Sequence, residues 1–418
     1  MQLVAYGTQD MYITGNPQVT FFKAVFRRYT NFSIESIKQN FSGNIDFGRR
    51  ITCTISRNGD LIHRLLIEIK LPTLQKITGE TNNIYGQGWV DEIGHAIIKS
   101  VELEIGGQLI DKHYSEWFSI WNDLTLSGGQ REGYNKMIGN IESTQPIYNT
   151  DYSETKFYIP LLFWFSRNPG TALPLIALQY HEVKINLELN SLSNVLLEQR
   201  TNTSTGWTKP TSNPTVNIVS CNLFVDYIYL DTDERKRFAQ ANHEYLIEQV
   251  QQTGDEAVNT ATSLDLKLAL NHPVKELIWI FHSDTALSNL QYFNYTNYSS
   301  TQTSRGIYNQ QGQNNIESAK LLLNGHDRFS SRKGTYFNLV QPYQHHTSIP
   351  TSPGINVYSF ALTPEDSQPS GTCNFSRIDN ASLILNFNGS VTGKIRVYAV
   401  NYNILRIMGG MGGLAYSN

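Results

Sequence analysis

The chain has 418 residues, 40% of them hydrophobic and 17% charged, with 30 glycines and 14 prolines. This is ordinary globular material, which excludes a disordered, collagen-like or coiled-coil chain, and the length accommodates two large β domains or three average ones. Lys and Arg total 33 against 36 Asp and Glu, a formal charge of −3, whereas a protein that coats nucleic acid carries a basic excess, so direct genome binding is not expected.

Residues 1–30 mix Gly, Asn-Pro and aromatic residues ahead of the first alternating run. Phe21, Phe22, Val25 and Phe26, with Lys23, Arg27 and Arg28, make an apolar-basic segment that reads either as an element packed on its own domain or as a contact arm. The N-terminus lacks a basic stretch followed by an apolar core, and no apolar run approaches the roughly 20 residues that span a bilayer, so a soluble chain made inside the cell is expected. Cys53, Cys221 and Cys373 are odd in number and far apart, which suits a reducing compartment better than a disulfide framework.

Period-two alternation dominates the rest. Leu65, Ile67, Ile69 and Leu71 alternate with Leu66, Glu68 and Lys70, and Val101, Leu103 and Ile105 alternate with Glu102 and Glu104. Val183, Ile185, Leu187 and Leu189 alternate with Lys184, Asn186 and Glu188. Such runs bury one face of an antiparallel strand and leave the other polar. Further strands are predicted within 51–55, 216–230, 264–270, 277–281, 383–387 and 395–402. Helices are predicted only over 114–124 and 231–246, the second opening on Asp231, Asp233 and Glu234. Long polar insertions at 75–88, 190–214 and 283–315 separate strands and are expected to serve as functional or interface loops, or else as plain surface decoration. Val101, Leu103, Ile105 and Gly107 recur as Ala319, Leu321, Leu323 and Gly325 at a constant offset, consistent with two similar β halves joined near residue 231.

Motifs that carry chemistry are almost absent. Gly410-Met411-Gly412-Gly413 has no following helix, which a dinucleotide site requires, and reads as a flexible or close-packed tail. His181-Glu182 and His243-Glu244 lack the second histidine of a metalloprotease helix. His345-His346 is expected to be a solvated loop pair. Cys53 and Cys221, within strand patterns, are expected to be buried and inert. Of six tryptophans, Trp207 alone lies in a polar loop, where a sugar-stacking platform would be placed; a β-sandwich carbohydrate-binding protein or hydrolase is therefore the alternative reading. No cofactor, metal or catalytic residue is assigned.

The termini carry the most specific signal. AYGTQDMYITGNPQVTFFKAVFRRYTNFSIESI at 5–37 and VYAVNYNILRIMGGMGGLAYSN at 397–418 resemble the ends of the major capsid proteins of nucleocytoplasmic large DNA viruses. LPLIALQYHEVKINLEL at 173–189 and CNFSRIDNASLILNF at 373–387 resemble that family's internal landmarks, so the similarity spans the chain. The resemblance implies an all-β chain of two tandem eight-stranded antiparallel jelly rolls with short helices in the connections. On this reading residues 1–30 form an arm, 31–232 the first jelly roll, 233–246 a helical linker and 247–418 the second with its tail. It implies a homotrimer of pseudo-hexagonal outline, tiling an icosahedral shell alongside neighbouring capsomers and minor capsid proteins, with its inner side toward an internal membrane. Virions assembled in the host cytoplasm are the expected location, and a minor capsid protein of the same lineage is a further alternative. Phe21, Phe22, Phe26, Arg27 and Arg28 in the arm, and Met408 and Met411 in the tail, are the expected assembly contacts.

Overall fold

The computed structural model describes residues 4–74, 86–140, 153–199, 207–210, 216–299 and 309–417. Eight strands build the first sandwich: β1 Phe32–Asn40, β2 Arg50–Thr54, β3 Leu61–Leu71, β4 Ile98–Ile105, β5 Gln108–Tyr114, β6 Thr155–Pro160, β7 Val183–Leu189 and β8 Ser220–Leu230. They form two antiparallel sheets, ordered β1-β8-β3-β6 and β2-β7-β4-β5, the first extended by the two-residue strand Leu173–Pro174 paired to β3. Early strands alternate between the two sheets, and the late strands β7 and β8 return to fill the central positions, which is the jelly-roll path. Val101, Leu103 and Ile105 of β4 lie beside Leu187, Ile185 and Val183 of β7 on the buried face of their sheet, as the alternation requires.

The second sandwich repeats that path with β9 His243–Gln252, β10 Glu256–Lys267, β11 Pro273–Ser283, β12 Ile316–Leu323, β13 His326–Lys333, β14 Asn356–Ser359 and β15 Ala381–Met408. The 28-residue β15 does the work of two strands. Its first part lies between β10 and β12, with β13 outside; its second part lies between β9 and β11, with β14 outside. The chain changes sheet near Gly389, whose φ of 94° suits glycine, and Gly393, where the strand crosses β11.

Among the helices in the connections of the described residues, four bear on the assembly of the two halves. α1, Ser115–Thr125, matches the expected position closely. α2, Gly128–Ile138, opens on two glycines and leaves most of its surface in solvent, so no periodic signal announced it. α3, Thr232–Gln240, is capped by Asp231, whose carboxylate accepts from Glu234 N at 3.0 Å. This helix is shorter than expected: residues 243–246 pair with 407–404 as the start of β9, and sheet pairing overrides their local preference. α4, Gln341–His345, continues a turn of π-helix at Tyr336–Val340.

Parts of the polar insertions fold on themselves. Gly86–Trp89, Leu196–Gln199 and Trp207–Thr208 pair as a small third sheet. Trp207 is accordingly buried, which corrects its placement as an exposed platform. Insertion residues 75–85, 200–206, 211–215 and 300–308 lie outside the described residues. No helix among the described residues is long and apolar enough to cross a membrane.

Gly393 tests the bend of β15. A Cβ there would lie 2.0 Å from the His282 carbonyl oxygen and 2.8 Å from the Phe281 ring. Gly393→Ala is expected to cost about 1–3 kcal/mol or more in denaturant unfolding, since backbone must move to admit the methyl group. Unchanged stability would show that the strand does not cross β11 this closely.

Candidate assembly surfaces and the seam between the sandwiches

The two sandwiches meet along one extended seam. The apolar core of the first sandwich continues across it through Ile278 and Ile280 of β11 and Tyr398 and Val400 of β15, while Leu277, Trp279 and Phe281 fill the second sandwich from the opposite face of β11. α1 supplies the cover from the first sandwich, with the Trp117 ring tilted against the Tyr398 ring at 5.6 Å.

Charges are buried in this seam, and two of the ion pairs, Glu116 with Arg396 and Arg167 with Glu248, join one sandwich to the other. Glu116 of α1 pairs with Arg396, accepts the Tyr398 hydroxyl at 2.8 Å and lies 3.7 Å from His282. Arg396 also pairs with Asp255, whose carboxyl that hydrogen bond, ahead of the opposing effect of burial, holds down at about 2. Arg167 of the first sandwich pairs with Glu248 of β9 and lies over the Trp121 ring at 4.2 Å. Glu248 in turn holds the wholly buried Lys275 at 2.8 Å. Burial pulls the Lys275 ammonium below its usual range, and Glu248 opposes that pull. The carbonyl of Ile110 accepts the Gln249 amide, and Asp111 accepts Val250 N at 3.1 Å.

The end of α1 is closed by the second sandwich. Ser348 N donates to the Leu124 carbonyl at 2.9 Å, satisfying an acceptor that the helix terminus leaves open. Asp123, badly placed for the helix dipole, is offset by Arg131 and by Thr351 N at 2.9 Å. Beside this segment the His346 ring is wholly buried, with Nε2 3.0 Å from Glu276 and Nδ1 2.9 Å from Glu365. The expectation of a solvated histidine pair is thus corrected: His345 bonds the Leu362 carbonyl, but the His346 ring is buried between the carboxylates of Glu276 and Glu365. Period and spacing could not show this, because both acids come from distant strands and loops. Among the described residues no group of three or more His, Cys, Asp and Glu is arranged to hold a metal ion.

The tail docks back onto the first sandwich. A hairpin of residues 405–408 and 411–414 lies against it, with Tyr180 N donating to Gly410 O at 2.9 Å and His181 Nδ1 2.9 Å from Gly412 O. Gly412 passes so close that a Cβ would meet Leu178 at 2.6 Å. The backbone is therefore docked while the Met408 and Met411 side chains stay exposed. Cys53 and Cys221 are free and buried, and burial pushes their thiols up to about 11 and about 12. All six tryptophans are buried, so none offers a stacking platform on the subunit surface.

The arm is the opposite of the seam. Phe21, Phe22 and Phe26 are 94%, 99% and 91% exposed, and Arg27 and Arg28 are exposed beside them. Burying each phenylalanine elsewhere would yield roughly 1.5–3 kcal/mol before ordering costs, and nothing in the subunit takes it up.

A pH response follows from His346. Burial alone would depress the imidazole, but the charge of Glu276, its hydrogen bond and Glu365 outweigh this and push it up to about 9 from 6.5. A raised value means the stabilisation is complete below pH 6.5 and is lost as pH rises toward 9. Wild-type stability is expected to fall across that window by at most about 3 kcal/mol, whereas His346→Gln is less stable at pH 6 and flat across the window. Thermal unfolding at a series of pH values checks this; an identical alkaline slope in the variant would remove His346 as the cause.

Comparison with known proteins gives this architecture its family. The family model for the major capsid protein N-terminus matches residues 20–231, and that for the large eukaryotic DNA virus major capsid protein matches residues 234–413. The chain is 49% identical to a major capsid protein of Pyramimonas orientalis virus and 47% identical to one of Phaeocystis pouchetii virus, in each case over 100% of this chain and 99% of the relative. It superimposes on the quasi-atomic model of the PBCV-1 virus capsid with a TM-score of 0.78 and 40% identity, covering 96% of this chain and 100% of that one. Two sandwiches of identical path, matched end to end by both halves of one family, make the chain a member of the large DNA virus major capsid proteins.

Proposed function

We propose that the chain is the building block of an icosahedral shell, in which three copies stand side to side as a pseudo-hexagonal homotrimer and the trimers tile the shell faces. The observation that carries this is the pair of identically wound sandwiches locked by a charged, apolar seam into one unit. Each copy then offers two similar corners, and threefold symmetry makes six, a shape that packs on a hexagonal lattice. Residues 1–30 serve as an arm at the base of the trimer, with Phe21, Phe22, Phe26, Arg27 and Arg28 reaching neighbouring capsomers, minor capsid proteins or the membrane side. Met408 and Met411 add exposed apolar contacts at the docked tail. The role is structural, without catalysis, cofactor or genome contact, in a virion assembled in the host cytoplasm. The first jelly roll occupies 31–232 and the second runs to 418, starting at the β9 residue His243 rather than at 247, with the linker helix between them.

Negative-stain images of the purified protein are expected to show three-fold particles with six-cornered outlines; a monodisperse monomer under mild conditions would refute the proposal. Replacing Phe21, Phe22 and Phe26 together by Asp is expected to leave the subunit's melting temperature unchanged, because the side chains bury nothing within it. The same variant is expected to fail in shell assembly, read by sedimentation of particles. Loss of subunit stability instead would make the arm an internal element.

A further inference from the structure

The arm holds a pattern that its conformation in the free subunit does not use. Phe21, Phe22, Val25, Phe26 and Tyr29 follow one another at alternating steps of one and three residues. At 100° per residue they fall within an arc of about 140° on a helix. Thr20, Lys23, Ala24, Arg27 and Arg28 fill the opposite side, with Lys23 next to the Phe26 edge of the apolar arc and Arg28 next to the Phe21 edge. No Asp or Glu occurs from Met11 to Ile34. A helix over 21–29 therefore carries its large apolar side chains on one face and its cations on the other.

Only the first turn of such a helix is present. Phe21, Phe22 and Lys23 make a turn, and Thr20 Oγ1 accepts from Phe22 N at 3.5 Å, the place of an N-cap bond. Residues 24–31 continue without regular structure. An isolated helix in water is marginal below about 12–15 residues, and aromatic and β-branched residues are poor helix formers. What the segment lacks is a surface for its apolar face. All five of those residues are exposed, and none belongs to a core of the subunit. The arm leaves the molecule where Phe32 pairs with Leu230, and from there α3 leads to His243, opposite Ile407. Exposed Lys236 of α3 and the exposed Met408 and Met411 lie at that same end.

We infer that residues 20–29 fold as an amphipathic helix in the surface of a bilayer that contains anionic lipid. The aromatic face sinks below the headgroups, while the cations at both of its edges extend their stems back to the lipid charges. A groove on a protein calls for apolar anchors; three exposed cations with no acid beside them call in addition for an extended negative surface. Near such a surface each cation adds roughly fivefold to the affinity. One short helix binds weakly, but three arms carried at one end of a trimer bind together, so lipid binding strengthens once copies associate. This rests on the reading of residues 1–30 as an arm at the base of the trimer and names the surface that the arm meets.

Flotation of the full chain with vesicles tests the assignment. The chain is expected to rise with vesicles of phosphatidylcholine and phosphatidylserine and to leave them as salt is raised. Vesicles of phosphatidylcholine alone are expected to bind it far more weakly. Ala24→Pro keeps the five apolar and three cationic side chains but breaks the helix, and is expected to abolish binding with the melting temperature unchanged. Lys23→Gln, Arg27→Gln and Arg28→Gln together are expected to weaken binding to the anionic vesicles about 100-fold. Ala24→Pro that binds like the wild type overturns the helix, and equal binding to the two kinds of vesicle overturns the role of the cations. A trimeric wild type that ignores both kinds overturns the lipid assignment, makes a protein the occupant of the arm and leaves the trimer intact. A chain that floats through its arm while remaining monomeric upholds the lipid helix and overturns the trimer.

Discussion

A strand buried on both faces governs this molecule. β11 lies in the middle of a sheet whose inner side closes the second sandwich and whose outer side is covered by the first. Its Leu277, Trp279 and Phe281 point one way, and Ile278 and Ile280 the other. Uncovered, the outer face would present a large apolar patch to water. The outer face of the second sandwich is covered only by the first, so separating the two would expose it.

Buried charge then sets how the two halves meet. Desolvating Glu116, Glu248, Lys275, Glu276 and His346 costs several kcal/mol for each ion, and only a matching partner in good geometry offsets it. Several of those partners come from the opposite side: Arg396 reaches Glu116, and Arg167 reaches Glu248. A slip along the seam would strand one of these ions without a partner. Apolar burial drives the union, while the ion pairs and the closure of α1 by Ser348 and Thr351 choose the register. A tile that must fit identical neighbours needs its two corners held at one angle, and this arrangement holds them.

The periphery follows a different rule. The arm exposes aromatic residues that gain nothing from the subunit, and β1 offers an unpaired edge. Long exposed edges and apolar arms are liabilities in a monomer. In the proposed assembly they are the surfaces that neighbouring copies or a bilayer cover, which places the cost of exposure in the free subunit and the gain in the shell.

Local chemistry was legible wherever one face of a strand met water. The alternation in β3, β4 and β7, the cap at Asp231 and the recurring hairpin could be read from the residues, because period, capping oxygen and turn glycine act over a few positions. The termini carried the family, through long specific segments. What the tertiary structure alone decided depends on contacts across hundreds of positions. It joined β15 into one bent strand serving two sheets, drew residues 243–246 from a predicted helix into β9, and buried Trp207 inside a loop that looked polar. It also set His346 between Glu276 and Glu365, acids that lie 70 residues before it and in a separate loop after it. A local pattern reports which way a side chain leans; which distant charge or sheet it meets there is settled only when the chain has closed on itself.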